Sequence, residues 1–395
     1  MALRIVSIVF IGMAANIYIP VAPSILGAMV DYHGLGNDVA GRLIAYNFWG
    51  ATVSTVVALF ILHRPGWNFR LTAGVCLSLV ILSSVAAIAY ADSVQALALI
   101  RFVNGIGAGL GFTVCCVAVV GTPHVERSYA ILYGSPFLIS GVGLALLPHI
   151  YQSVGLEGAF LGMAALNVIA LFFLPFMPRT VGERHRRVSD RPAAIDRRVY
   201  MLCGLALGAL FLHYVFNSGI WTYFERLGVA AGMTAEVAGA ILGPGMSAAI
   251  LGMVAASVLG DKLGYLRPIY IGTGTILVST LALLFASQEF IFGVATAAFN
   301  ASITFVIPYF VAILAMLVPS GLGVTAANVM TIAGFSTGPF VISFIVGGGD
   351  FTVSILVTAA GFVAVFVLVR LFARRLDAAP GELAPLRALC VTTSN

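Results

Sequence analysis

Charge is what this chain has least of. Only 9% of its 395 residues are charged and 61% are hydrophobic, where soluble domains carry roughly a quarter charged residues. Lys262 is the single lysine. That shortage excludes a water-facing globular domain and leaves lipid as the expected solvent. The five cysteines, Cys76, Cys115, Cys116, Cys203 and Cys390, lack metal-ligand spacing. Neither a zinc site nor a disulfide framework is expected from them, and the adjacent Cys115 and Cys116 read as small packing residues. No phosphate-binding loop is present, so nucleotide-driven chemistry is disfavoured and no cofactor is expected. The net charge of +5 does not point to nucleic acid either, because the basic residues follow a different logic.

That logic is membrane topology. A membrane-crossing helix needs about 20 mainly apolar residues. Twelve such runs occur, at about 5–30, 43–62, 71–91, 94–121, 129–150, 158–177, 199–224, 234–259, 269–287, 290–318, 321–346 and 351–373. The first is too long for a signal-peptide core and has no convincing cleavage site after it, so it reads as a retained span. With both termini inside, seventeen of the 20 basic residues fall in cytoplasmic segments, and only Arg42, Arg101 and Arg226 lie elsewhere. Eight acids, including Asp31, Asp92 and Glu225, fall at outer ends. This is the positive-inside pattern. The basic stretch 178–198 divides the chain into a six-span half (1–177) and a second six-span half (199–373), followed by a cytoplasmic tail (374–395). The linker reads as solvated, with possible contact to anionic lipid headgroups.

The halves echo one another. His63-Arg64-Pro65-Gly66 follows span two, and Asp261-Lys262-Leu263-Gly264 follows span eight, 198 residues later. SPFLIS (135–140) in span five is echoed by GPFVIS (338–343) in span eleven. Parallel six-span repeats of this kind build one large transporter class. Together with LIRFVNGIGAGLGF (99–112) in span four and GFSTGP (334–339) in span eleven, these elements resemble the major facilitator superfamily. The family loop after span two typically reads Gly-x-x-x-Asp-Arg-x-Gly-Arg-Arg. Here His63 stands at the acid position, and Trp67 and Asn68 replace a basic pair.

The resemblance implies an all-α integral membrane fold of twelve helices and a gating latch at the loops after spans two and eight. Arg64, Gly66, Asp261, Lys262 and Gly264 are the candidates, with Asp261 facing the start of span five. Glycines supply the tight turns, and an anchor-plus-turn role is the plainer alternative. Gly338 and Pro339 match a glycine–proline element associated with antiport, although that element belongs in span five.

The resemblance also places spans one, four, seven and ten around a central cavity. Arg101 stands out, because a charge at mid-membrane costs roughly 2.5–3.5 kcal/mol or more and generally faces a cavity or partner. It could bind substrate, shape proton coupling, or pair structurally with Asp92 or backbone carbonyls. Asn104 shares its helix face. His213, Asn217 and Trp221 form one stripe of span seven that Glu225 continues. His213 is either a proton carrier or a packing residue, Glu225 is a rim candidate for coupling, and Trp221 is either pocket wall or interfacial anchor. Asn16, Tyr18, Asn47, Asn300, Tyr309 and Asn328 complete a candidate polar pocket.

No acid lies near the middle of any span, which favours a neutral or anionic solute over a lipophilic cation. The expected function is secondary transport of a small organic molecule by alternating access, leaning to proton-coupled export. Uptake or facilitated passage of an organic anion is the alternative, and a membrane-embedded transferase a remote one. The expected setting is the inner cell membrane, as a monomer.

Overall fold

The computed structural model describes residues 2–378 apart from 63, 65, 120, 123–124, 181–196, 319–321 and 347–349. The middle of the expected linker (181–196), the tail beyond residue 378, and His63 therefore lie outside the described residues. Helices account for nearly all the rest. In chain order they are α1 (Ala2–Asn16), α2 (Tyr18–His33), α3 (Asn37–Ile61), α4 (Phe69–Ala89), α5 (Val94–Val119), α6 (Val125–Phe173), α7 (Arg197–Trp221), α8 (Phe224–Ala230), α9 (Ala235–Ser247), α10 (Ala249–Leu259), α11 (Leu266–Ala282), α12 (Glu289–Leu317), α13 (Leu322–Ser343) and α14 (Thr352–Asp377).

Ten of the helical stretches are long and apolar enough to cross a membrane. One, 131–176, is 46 residues long, enough for two passes, and it turns at Gly155, whose φ of 64° and ψ of −167° suit glycine alone. With apolar α13 added, the count is consistent with twelve passes. Two passes are broken. The first splits between α1 and α2 at Ile17, where Pro20 supplies no N–H to the carbonyl of Asn16 four residues back. The other splits between α9 and α10, just beyond Pro244.

Helix ends alternate between two faces. The start of α1, the end of α14, the α3–α4 turn and the α10–α11 turn share one, called here the terminal face. The α2–α3, α4–α5 and α11–α12 connections and the short α8 share the distal face. Helices α1–α6 pack mainly on one another, as do α7–α14, and the two groups meet along α3 against α13 and α6 against α9.

In lipid, helices associate through close packing and hydrogen bonds, so small residues govern approach. The α3–α5 contact shows this best. A Cβ on Gly105 would lie 1.8 Å from the Asn47 carbonyl oxygen, and one on Gly50 would lie 2.0 Å from that of Phe102. Backbone cannot yield as a flexible side chain does. Gly105→Leu is expected to destabilise the fold by about 3 kcal/mol or more, seen as lost monodisperse yield or a lowered unfolding temperature in detergent. Gly162→Ala, at a position with no atom within 4 Å, should change neither.

Candidate functional site

Helical spacing sets Arg101 and Asn104 one turn apart on α5, and the glycine contacts draw that face against α3 and α4. Arg101 is completely buried. Its guanidinium carbon lies 4.3 Å from the centroid of the Tyr18 ring and 5.0 Å from that of Phe160, so two aromatic faces offset the cost of a buried cation. One terminal nitrogen donates to Asn104 Oδ1 at 3.3 Å. Asn104 Nδ2 donates to Ser83 Oγ at 2.8 Å, and Asn47 Nδ2 donates to Asn104 Oδ1 at 2.9 Å and to the Arg101 carbonyl at 3.1 Å. Three helices are thereby tied to one arginine. Arg101 Nε and Nη1 and the Tyr18 hydroxyl make no hydrogen bond of good geometry, although the Tyr18 hydroxyl lies close enough to the guanidinium to interact with it. Among the described residues no carboxylate pairs with Arg101, and the Asp92 pairing left open by the sequence is not formed. The site is a desolvated cation with spare donors.

Aromatic rings lead from it into the other half. Tyr18 packs on Phe48 at 6.1 Å, Phe48 meets Phe335 of α13 at 5.0 Å, Phe335 meets Tyr214 at 6.2 Å, and Tyr214 meets His213 at 5.9 Å. Beside this bridge the Thr52 and Ser336 hydroxyls lie 2.6 Å apart, again joining the halves. Thr331 lies by the Tyr214 hydroxyl. Tyr133 of α6, close enough to Tyr214 for charge to be felt between them, is 45% exposed.

The remaining candidates spread out. His213 is enclosed by Phe310 and Phe362 as well as Tyr214, and neither ring nitrogen has a partner. Asn217 is buried with Nδ2 unpartnered. Trp221 packs on Phe224 at 5.2 Å. Asn300 donates back to the Thr296 carbonyl of its own helix. Tyr309 packs on Tyr265 and Phe305. Asn16 is partly buried at the α1–α2 break, and Asn328 is exposed on α13. The structure thus gathers Tyr18, Asn47, Arg101 and Asn104, and leaves the others apart from them. Phe48, Phe160, Phe335, Tyr214 and Ser83 were not singled out by the sequence, where an aromatic or a serine inside an apolar run carries no contrast.

The distal face holds the strongest polar contact between the halves. Arg226 of α8 donates to both carboxylate oxygens of Asp31 on α2, each at 2.6 Å, and to Glu225 at 2.7 and 2.8 Å. Glu225 is 3% exposed and Asp31 42%. A Cβ on Gly27 would lie 2.0 Å from Glu225 Oε2, and one on Gly41 would lie 1.7 Å from the Tyr223 hydroxyl. Two glycine notches in the first half therefore receive consecutive parts of the second. The sequence reading noted Glu225 and missed the Arg226–Asp31 pair, because that pairing runs across 195 residues.

At the terminal face, Arg64 and Gly66 lie exposed in the α3–α4 turn, and Asp261 and Lys262 in the α10–α11 turn. Gly66 and Gly264 have φ of 76° and 68°. Lys262 donates to the Val258 carbonyl at 3.1 Å, and the Asp261 side chain has no partner among the described residues. Gly338 packs directly against the Val215 carbonyl of α7, with Pro339 beside it in α13.

Two groups of apolar helices meeting along a polar, aromatic seam are the build of a multi-pass membrane protein. The model of the Major Facilitator Superfamily matches residues 5–321, and the chain belongs to that family. Among solved structures, a mutant of the nucleoside transporter NupG superposes with a TM-score of 0.75 at 12% identity, over 94% of this chain and 99% of that one. The D-xylose-proton symporter superposes with a TM-score of 0.72 at 13% identity, over 93% and 96%. No protein of curated function matches by sequence. The chain is a multi-pass membrane transporter of small molecules and not an enzyme.

Filling the notches tests whether these contacts seal the distal face. Gly27→Leu and Gly41→Leu are each expected to raise the labelling rate of a cysteine placed at Ser24, 2% exposed here, by about tenfold or more with a membrane-impermeant maleimide applied to the distal face. An unchanged rate would remove the notches from the seal.

Proposed function

We propose that this transporter moves a small, polar, neutral or anionic organic solute across the inner cell membrane by alternating access, as a monomer with both termini cytoplasmic. The observation that carries the solute class is Arg101, buried with unused donors and without a carboxylate. A hydroxyl-rich or carboxylate-bearing solute supplies the missing acceptors, and the Tyr18–Phe48–Phe335–Tyr214 rings supply a wall on which a flat ring can lie. The two structural relatives named above are a nucleoside transporter and a D-xylose-proton symporter, which is in keeping with an uncharged polar solute. Asn47 and Asn104 position Arg101. Asn16, Asn217, Asn300, Tyr309, Trp221 and Asn328 line parts of the path reached in other states.

Uptake is the direction proposed. The glycine–proline element that favoured export has a packing role here, since Gly338 lets α13 approach α7. The Arg226–Asp31–Glu225 cluster is the distal gate. Arg64, Asp261 and Lys262 form the terminal-face latch once that side closes.

Binding is read by thermal unfolding of the detergent-purified protein with pentoses, nucleosides, carboxylates and lipophilic cations. Neutral polyols or carboxylates should stabilise the wild type. Arg101→Gln should weaken that effect by about tenfold or more, the scale of a hydrogen bond to a charged group. Equal stabilisation of both proteins by lipophilic cations would contradict the proposal.

Proton coupling is placed at Glu225. The groups facing it are Arg226 on its own helix, Asp31 on α2, Tyr151 on α6 and Glu236 on α9. Burial holds its carboxyl above the ordinary value of 4.5, and the hydrogen bonds and charge of Arg226 pull the other way without prevailing. A carboxyl raised in the closed state takes its proton there first. Closure is thus favoured at low pH and weakens as pH rises through the raised pKa. Distal labelling of the Ser24 cysteine, taken relative to a freely exposed cysteine so that the rise of thiolate with pH cancels, should speed up as pH rises through the raised pKa of Glu225, and Glu225→Gln should flatten that profile. A profile of unchanged slope in Glu225→Gln would place the proton elsewhere.

A further inference from the structure

Outside the solute path, a groove of about 620 Å³ runs along the bilayer-facing side of α4 where it meets the end of α6. Leu71, Val75, Leu79 and Leu82 form one wall, and Leu171 and Leu174 the other. Gly74 is its floor, where a Cβ would already lie 3.0 Å from Leu174 Cδ2. From Leu71 to Leu82 the helix rises roughly 16 Å, about half the ~30 Å hydrocarbon core. The groove is therefore one leaflet deep. Leu71 and Leu82 are 65% and 66% exposed, which leaves their covering to lipid.

The mouth of the groove, at the terminal face, is lined by Arg70 and Arg179. Backbone and side chain hold both there: the Phe69 N–H donates to the Arg179 carbonyl at 2.8 Å, and Arg70 donates to the Met177 carbonyl at 3.1 and 2.8 Å. A carbonyl uses two donors of Arg70 without balancing its charge. Among the described residues neither arginine has an ion pair, and no acid lines the groove. Trp67, hydrogen-bonded to Thr72, stands in the preceding turn at the level where indoles favour the membrane–water boundary.

We propose that this groove binds one anionic glycerophospholipid, its phosphate between Arg70 and Arg179 and one acyl chain against Gly74. The site is independent of which solute is carried and of the direction of transport. Charge complementarity selects the anionic headgroup, and groove depth selects a chain confined to one leaflet.

Native mass spectrometry of the full-length protein in detergent, with phosphatidylglycerol or phosphatidylcholine added at equal concentration, tests this. Wild type should retain one phosphatidylglycerol in preference to phosphatidylcholine. Arg179→Gln should lower that retention about fivefold, whereas Arg179→Lys should keep most of it. Gly74→Leu should lower retention of both lipids, and glycerol phosphate, a headgroup without chains, should not compete. Equal retention of the two lipids by wild type, or undiminished phosphatidylglycerol on a folded Arg179→Gln, would overturn the proposal.

Discussion

A guanidinium that leaves water must find compensation, and the Arg226 guanidinium finds it across the two halves of the molecule. Four hydrogen bonds to Asp31 and Glu225 fix α8 against α2, the contact between the halves proposed above as the distal gate. Breaking a fully buried pair of this kind costs roughly 3–5 kcal/mol; the figure is smaller here because Asp31 is 42% exposed. One carboxylate is in excess, so the cluster carries net negative charge until Glu225 is protonated. A single proton on Glu225 therefore changes the net charge of the contact proposed as the distal gate.

Arg101 meets the same physical demand in the opposite way. No carboxylate approaches it; two rings and an asparagine stabilise the cation, and two of its nitrogens stay unused. Such a group binds a ligand acceptor more strongly than a water-exposed arginine does, because the alternative is an unsatisfied donor. The aromatic bridge from Tyr18 to Tyr214 crosses the seam between the halves, so an occupant at Arg101 also touches the contact that must part when the halves rock. On the proposed reading, binding and gating are joined through packed rings, without a chain of charges.

Much of the architecture was legible from the sequence, because membrane insertion leaves two loud signals, apolar run length and arginine placement. The Pro20 break in the first pass and the glycine turns at Gly66 and Gly264 are local effects and were readable as such. Arg101 and Asn104 were legible for the same reason, a polar pair in an apolar run. The Asp31–Arg226 pair was not, since nothing local marks residues so far apart as neighbours. Gly27 and Gly41 look like any other helix glycine until the side chain occupying each notch is known. His213 shows the converse: its chemistry invites a proton role, yet packing sets it among Phe310, Phe362 and Tyr214 rather than in the Arg101 cluster.

The central claim is that the Arg226–Asp31 pair holds the distal face closed. Spin labels at Ser93 and Ser287, exposed positions on the distal face of opposite halves, report that separation by double electron–electron resonance. A mutant cycle of Arg226→Gln, Asp31→Asn and both together should populate a longer distance in each single variant, with the double variant little different from either. Distance distributions identical to wild type in all three variants would contradict the account.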